Sequence, residues 1–356
     1  MKIFFKTLSS ITAILIILTL VCNSQNSQIR AFASQRLNTS NRNVVNVAVL
    51  LYSFDDPFML KLKQSLEDIE KENKDKVRFT FYDGKNNIAV QMETLDSILR
   101  GNVDLIIGNL ANVSEDSVKN VVLRVKPTSV PLILIQIDPQ VVSKVSKYYN
   151  KIAFISPSSK ETGISEGKIL VNLWNTNKEA LDRNGDNILQ YVLLKGEKGN
   201  PVTVERSTYV VSTINDSGIK TQELESINGY WSKELAKNSI DSLLLRYAGK
   251  IEAIISNNDA MAIGAIEALQ KYGYNAGDKT KNIAVVGIDG LPEAKDLIDK
   301  GVMTGTVIQD MKVFAEGLYK IGMNLINNEN PLENTNYKIE DGEIIIPRSS
   351  YEYVKK

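Results

Sequence analysis

What most constrains the fold of this chain is the regular alternation of short apolar runs with amphipathic stretches. Apolar runs at 45–54, 77–82, 103–109, 130–137, 152–156, 189–194, 251–256 and 283–288 alternate with stretches such as 59–71, 90–99, 232–247, 260–272 and 313–325, whose apolar residues recur at helical spacing. Repeated strand-then-helix units build parallel sheets covered by helices on both faces. About six such units before Gly301 exceed one comfortable sheet, so the pattern predicts an α/β chain of two doubly wound parallel-sheet domains. The chain has 356 residues, 43% of them hydrophobic, which is enough to fill both cores.

Composition excludes several functions. The 42 basic and 42 acidic residues cancel, so no global field draws the chain to nucleic acid or to an anionic membrane surface. His is absent, which removes the commonest proton-transfer group and transition-metal ligand. No G-x-G-x-x-G or Walker sequence follows a strand. At the N-terminus, Lys2 and Lys6 precede an apolar run at about 11–21 and a polar tract rich in Asn, Ser and Gln to about Asn43, the pattern of an export signal. Ala31, Phe32 and Ala33 offer a cleavage site, while Cys22, at the end of the apolar run, suggests lipidation; cleavage, lipid anchoring and an uncleaved anchor all place the mature domain outside the cytoplasm. Cys22 is the only cysteine, so no internal disulfide is possible.

The segment 182–190 carries Asp182, Asn184 and Asp186 at alternate positions, a carbonyl at Ile188 and an amide at Gln190. That is the oxygen-ligand spacing of an EF-hand calcium loop. The closing Glu expected at position twelve is replaced by Leu193, and Gln190 runs into an apolar stretch, so the loop leads into a strand. A structural Ca2+ there needs a carboxylate from elsewhere; the other reading is an Asx-rich surface turn. The spacing favours calcium.

Ligands of doubly wound sheets sit at the carboxyl ends of the strands. Reading past those ends gives Asp55, Asp56 and Phe58, then Asn109, Asn200 and Arg206, then Asn258, Asp289 and Gln309, with Trp231 opening a helix. Asp, Asn and Arg can each grip adjacent hydroxyls, and Trp and Phe offer flat faces to sugar C–H groups. The set reads as a carbohydrate pocket. Each member also has a plainer role: Asp56, Asn258 and Asp289 as helix N-caps, Trp231 and Phe58 as packing residues, Arg206 as a surface ion-pair partner.

At 54–59, 182–190, 192–197, 218–221, 251–252, 256–262 and 287–294 the chain resembles the glucose/galactose-binding proteins of bacterial sugar ABC transport and chemotaxis, within the type I periplasmic binding protein fold. The likeness runs from Val45 to the C-terminus. It implies two lobes joined by three hinge strands and closing over a monosaccharide, with 44–136 plus 309–338 in the first lobe and 137–308 plus 339–356 in the second, after an export signal and tether at 1–43. It places Asp56, Phe58 and Asn109 on the first lobe and Arg206, Trp231, Asn258 and Asp289 on the second, with Phe58 and Trp231 stacking on opposite sugar faces. It also implies Glu252 as the missing calcium ligand.

Three positions depart from the resemblance. Asn200 stands for a His, Val202 for a hydroxyl-gripping Asp, and Gln309 for an Asn. A hydrogen bond to a charged group contributes roughly 1.5–3 kcal/mol, so Val202 alone would weaken binding of the family's sugars by about tenfold to a hundredfold or more. The expectation is therefore a monosaccharide-binding protein, not an enzyme, monomeric and serving an ABC permease. Its rivals are a sugar sensor signalling to a chemoreceptor or membrane histidine kinase, and a glycosidase using Asp55, Asp56 or Asp289.

Overall fold

The computed structural model describes residues 44–247, 249–346 and 350–355. The expectations at Cys22, at Ala33 and for an export signal within 1–43 lie outside the described residues.

Two sheets form, each with helices on its faces. The first contains β1 (Val45–Leu51), β2 (Val77–Asp83), β3 (Leu105–Gly108), β4 (Leu132–Ile135), β5 (Ile152–Ser156), β11 (Lys338–Glu340) and β12 (Glu343–Ile345), in the order β11-β12-β5-β4-β3-β1-β2. The second contains β6 (Ile188–Lys195), β7 (Lys220–Asn228), β8 (Ala253–Ser256), β9 (Ala284–Asp289), β10 (Gly305–Gln309) and β13 (Ser350–Val354), in the order β13-β10-β9-β8-β6-β7. The central pairs are parallel, while β11 with β12 and β10 with β13, at the edges, are antiparallel. The helices are α1 (Pro57–Glu72), α2 (Ile88–Arg100), α3 (Glu115–Val125), α4 (Pro139–Val145), α5 (Ser159–Thr176), α6 (Pro201–Asp216), α7 (Lys233–Arg246), α8 (Asp259–Lys271), α9 (Pro292–Asp299) and α10 (Met311–Ile326). Among the described residues, no helix is long and apolar enough to cross a membrane.

Period-two alternation sorts side chains between layers. Along β6, Leu189, Tyr191 and Leu193 join Leu170, Val210 and Ile214 of α5 and α6. Val192 and Leu194 point the other way, into a cluster with Ile240 of α7 and Met261 and Ile266 of α8. Both faces are covered, so the run is continuously apolar from Tyr191 to Leu194, and each fully buried apolar side chain contributes roughly 1.5–3 kcal/mol.

The lobe boundaries differ from those expected. The first sheet does not end at residue 136: β5 pairs in parallel with β4, and β12 with β5, so 152–156 and 338–345 belong to the first lobe. The chain crosses after Ser156 and between Gln309 and the α10 N-cap at Asp310, and β12 and β13 belong to different sheets. Strand-helix alternation carries no mark of which sheet a strand joins; α4 simply returns the chain to the same sheet. β7 also escaped the apolar pattern, because as an edge strand with exposed and half-buried side chains it can read Lys-Thr-Gln-Glu-Leu-Glu.

Candidate functional site

A cleft of about 580 Å³ opens at the carboxyl ends of strands from both sheets, where such sheets place their ligands. From the first lobe it is lined by Asp56 and Phe58 at the start of α1 and by Asn109 after β3. From the second come Asn200 and Arg206 at the start of α6, Trp231 before α7, Asn258 before α8, and Asp289 at the end of β9.

Several of these residues are N-caps as well as cleft residues. Asp56 Oδ1 accepts from the Phe58 amide at 2.7 Å, and its other oxygen accepts from the Tyr52 hydroxyl. Asn200 caps α6 through the Val202 amide, and Asn258 caps α8 through the Met261 amide. Asp289 is not a cap: α9 starts after Leu291, and Asp289 sits at φ +126°, in backbone space rarely adopted by a residue with a side chain. Tyr230 and Trp231 also have positive φ, at +51° and +63°. Of these three, Asp289 and Trp231 line the cleft.

Arg206 is the electrostatic centre, only 3% exposed. Its Nη1 donates to the Asn257 carbonyl at 2.6 Å and lies 3.9 Å from Asp289 Oδ1; its Nη2 donates to Gln309 Oε1 at 2.9 Å. Gln309 therefore stands behind the guanidinium rather than on the cleft wall. Burial lowers the pKa of Arg206, opposed chiefly by Asp289 and then Glu166. Burial likewise raises the carboxyls of Asp289 and Asp56, and Arg206 pulls against both shifts. Behind them Asp259, accepting from Thr306 and from the Leu291 amide, is raised to about 6 by burial. Asn109 Oδ1 and Arg206 Nε are buried without a hydrogen-bond partner in the protein. Buried polar atoms are normally satisfied, so these two are suited to a polar ligand.

Tyr52, Gln136 and Glu197 also line the cleft and were not among the expected site residues. Gln136, at φ +61°, accepts from Asn109 Nδ2 at 3.1 Å. The signal that could have found it is its place directly after the β4 run. Val202 lines the cleft too, as do Met59, Leu110, Ala111 and Val113 of the first lobe, which adds apolar surface to the polar site.

The 182–190 loop lies at the opposite end of β6, and eight strand residues at about 3.3 Å each place it roughly 25 Å from the cleft. It leads into a strand, as expected. Asn184 Nδ2 donates to Asp186 Oδ2 and Gln190 Oε1, and Gln190 Nε2 donates to Asp186 Oδ2. Glu252, 1% exposed, reaches in from the segment before β8 and accepts from the Arg183 and Gln190 amides at 2.8 and 3.0 Å. Asp182 accepts from the Asn187 amide and pairs with Lys178 at 3.4 Å. Among the described residues, no three His, Cys, Asp or Glu side chains gather as metal ligands. Asp182, Asn184, Asp186, Gln190 and Glu252 each carry a side-chain oxygen, the ligand type a hard cation takes, and Gly185 and Asn187 in the loop are at φ +74° and +63°.

Two α/β lobes around a polar cleft flanked by aromatic side chains define a solute-binding protein. The chain belongs to the periplasmic binding protein family: the model of the periplasmic binding protein domain matches residues 47–330. It is similar to the D-galactose/methyl-galactoside binding periplasmic protein MglB of Haemophilus influenzae, with 32% identity over 85% of this chain and 87% of the relative. The D-allose-binding periplasmic protein of Escherichia coli is 23% identical over 77% of this chain and 82% of its own length. Its fold matches that of an ABC transporter solute binding protein from Bacillus halodurans with bound myo-inositol, at TM-score 0.69 and 21% identity, covering 89% of this chain and 96% of the other. The relatives are extracytoplasmic binding proteins of sugar transport, not enzymes.

Proposed function

We propose that this protein captures a monosaccharide, galactose- or glucose-like or a methyl-galactoside, by closing its lobes on it, and delivers it as a monomer to an ABC importer. The observation that carries this reading is the lining: Phe58, Asp56 and Asn109 from one lobe meet Trp231, Arg206, Asn258 and Asp289 from the other around one cleft. The 32% identical galactose-binding relative supports the same class of sugar. Contacts to both lobes favour the closed state, and the closed shape is what a permease would recognise.

Val202 narrows the reading. An aliphatic wall where a sugar presents a hydroxyl leaves that hydroxyl desolvated, so sugars or glycosides with an apolar edge there gain over fully hydroxylated ones. A Ca2+ held by Asp182, Asn184, Asp186, the Ile188 carbonyl, Gln190 and Glu252 belongs to the same reading as a structural staple: it would neutralise buried carboxylates and tie the loop to β8, remote from the sugar.

The test is a thermal-shift screen in calcium against glucose, galactose, their methyl glycosides, xylose, arabinose, ribose and inositol, followed by calorimetry. A clear rise with one of the hexoses or methyl-galactosides is the expected result. No shift with any of them sinks the monosaccharide reading.

A further inference from the structure

Lys61 lies on α1 in the first lobe, yet its ammonium bonds to the second. Nζ is 2.9 Å from the Asp289 carbonyl and 3.5 Å from that of Gly290. The acceptors are main-chain oxygens, 228 and 229 positions further along the chain. They belong to the turn that carries the Asp289 carboxylate into the cleft, with φ +126° at Asp289 and +63° at Gly290. Within its own lobe this turn is held at Gly290, whose amide donates to Thr306 at 3.3 Å, and at Leu291, whose amide donates to Asp259 at 2.8 Å. Lys61 adds a third hold from across the cleft.

That third hold differs in kind from the other two. Thr306 and Asp259 share a lobe with the turn and would stay with it if the lobes parted, whereas Lys61 would be carried away on α1. A contact made in one state alone shifts the equilibrium toward that state by its whole net worth. It also acts on the one pocket carboxylate whose backbone is strained, so it bears on where that carboxylate points.

We propose that Lys61 is a positioning residue for ligand binding, clamping the Asp289–Gly290 backbone across the closed cleft in molecules with and without sugar, and so slowing ligand release. This deepens the sugar-capture reading and rests on it for the ligand and for the closing of the lobes. The variants Lys61→Met, which keeps most of the apolar stem, and Lys61→Arg, which keeps the charge, separate the clamp from packing.

Hydrogen exchange of the ligand-free protein is followed at the amides of Gly290 and Leu291, and stopped-flow fluorescence measures D-galactose association and dissociation. Lys61→Met should exchange several-fold faster at those amides. It should also release D-galactose on the order of tenfold faster, with association no slower than in the parent and Lys61→Arg close to the parent. Unchanged exchange at those amides, or a loss carried wholly by slower association, overturns the clamp. A parent protein that does not bind D-galactose counts against the sugar assignment, and the exchange measurement then decides the clamp by itself.

Discussion

The Trp231 ring occupies the space in which a β-carbon on Gly196 would stand. Gly196 follows β6, and its lack of a side chain lets the indole approach the backbone of the second lobe while Trp231 lines the cleft. Trp231 itself is at φ +63°, so the backbone accepts strain to hold the ring there. A Gly196→Ala substitution therefore has to displace the ring rather than find room beside it. Expected are a shift in the intrinsic tryptophan emission and at least a tenfold loss of sugar affinity by calorimetry, with the fold retained by circular dichroism. Parent-like emission and affinity would show that the ring has another resting place and that the contact is incidental.

Much of this architecture was legible because the physics that sets it is local. The run 152–156 is β5 without a residue's difference, since a strand covered on both faces reads as a nearly unbroken apolar run, here Ile152 to Ile155 before Ser156. The pocket residues Asp56, Asn200 and Asn258 were legible for a further reason: the strand-to-helix turns that bring them to the cleft also need a side chain able to cap a helix, and each does both. The remainder depends on partners distant in sequence. Nothing around Lys61 foretells a carbonyl in the other lobe, and nothing around Ser156 foretells that its strand closes the first sheet rather than opening the second.

That closing strand carries a pH-sensitive contact. Ser156 Oγ donates to the Glu343 carboxylate, joining the end of β5 to β12 beside two of the crossings between lobes. Burial raises the Glu343 pKa to about 7, the Ser156 bond opposes the shift, and Glu205, Asp138 and Asp341 add to it. The folded-state pKa thus lies above the unfolded value. The protonated carboxyl's contribution is fully present below the unfolded carboxylate range near pH 4.5 and is lost as pH rises through about 7. At about 1.4 kcal/mol per pKa unit, the loss is on the order of 3 kcal/mol. Glu343→Gln should remove this slope, melting higher than the parent at pH 8 and comparably at pH 5. Parallel melting-temperature curves for the two proteins between pH 4.5 and 8 would remove Glu343 from the account.

The calcium reading stands or falls at Glu252. Its carboxylate is buried, and burial raises its pKa, so an ionised Glu252 without a cation is costly even with the Arg183 and Gln190 amides as donors. A divalent cation shared with Asp182, Asn184, Asp186 and Gln190 would offset that cost. Binding to the folded state alone at a hundredfold excess over Kd contributes about 2.7 kcal/mol, which for a domain of this size is several degrees of melting temperature. Calcium should therefore raise the parent's Tm by that amount and chelator should lower it, while sugar affinity, set roughly 25 Å away at the other end of β6, changes little. Glu252→Ala should melt lower and lose the response to calcium. Asp186→Asn, which keeps the loop's polar geometry and removes one charge, should weaken the response without the same loss of intrinsic stability. If Glu252→Ala gains as much from calcium as the parent, the cation is held elsewhere, and 182–190 is an Asx-rich turn that Glu252 merely pins in place.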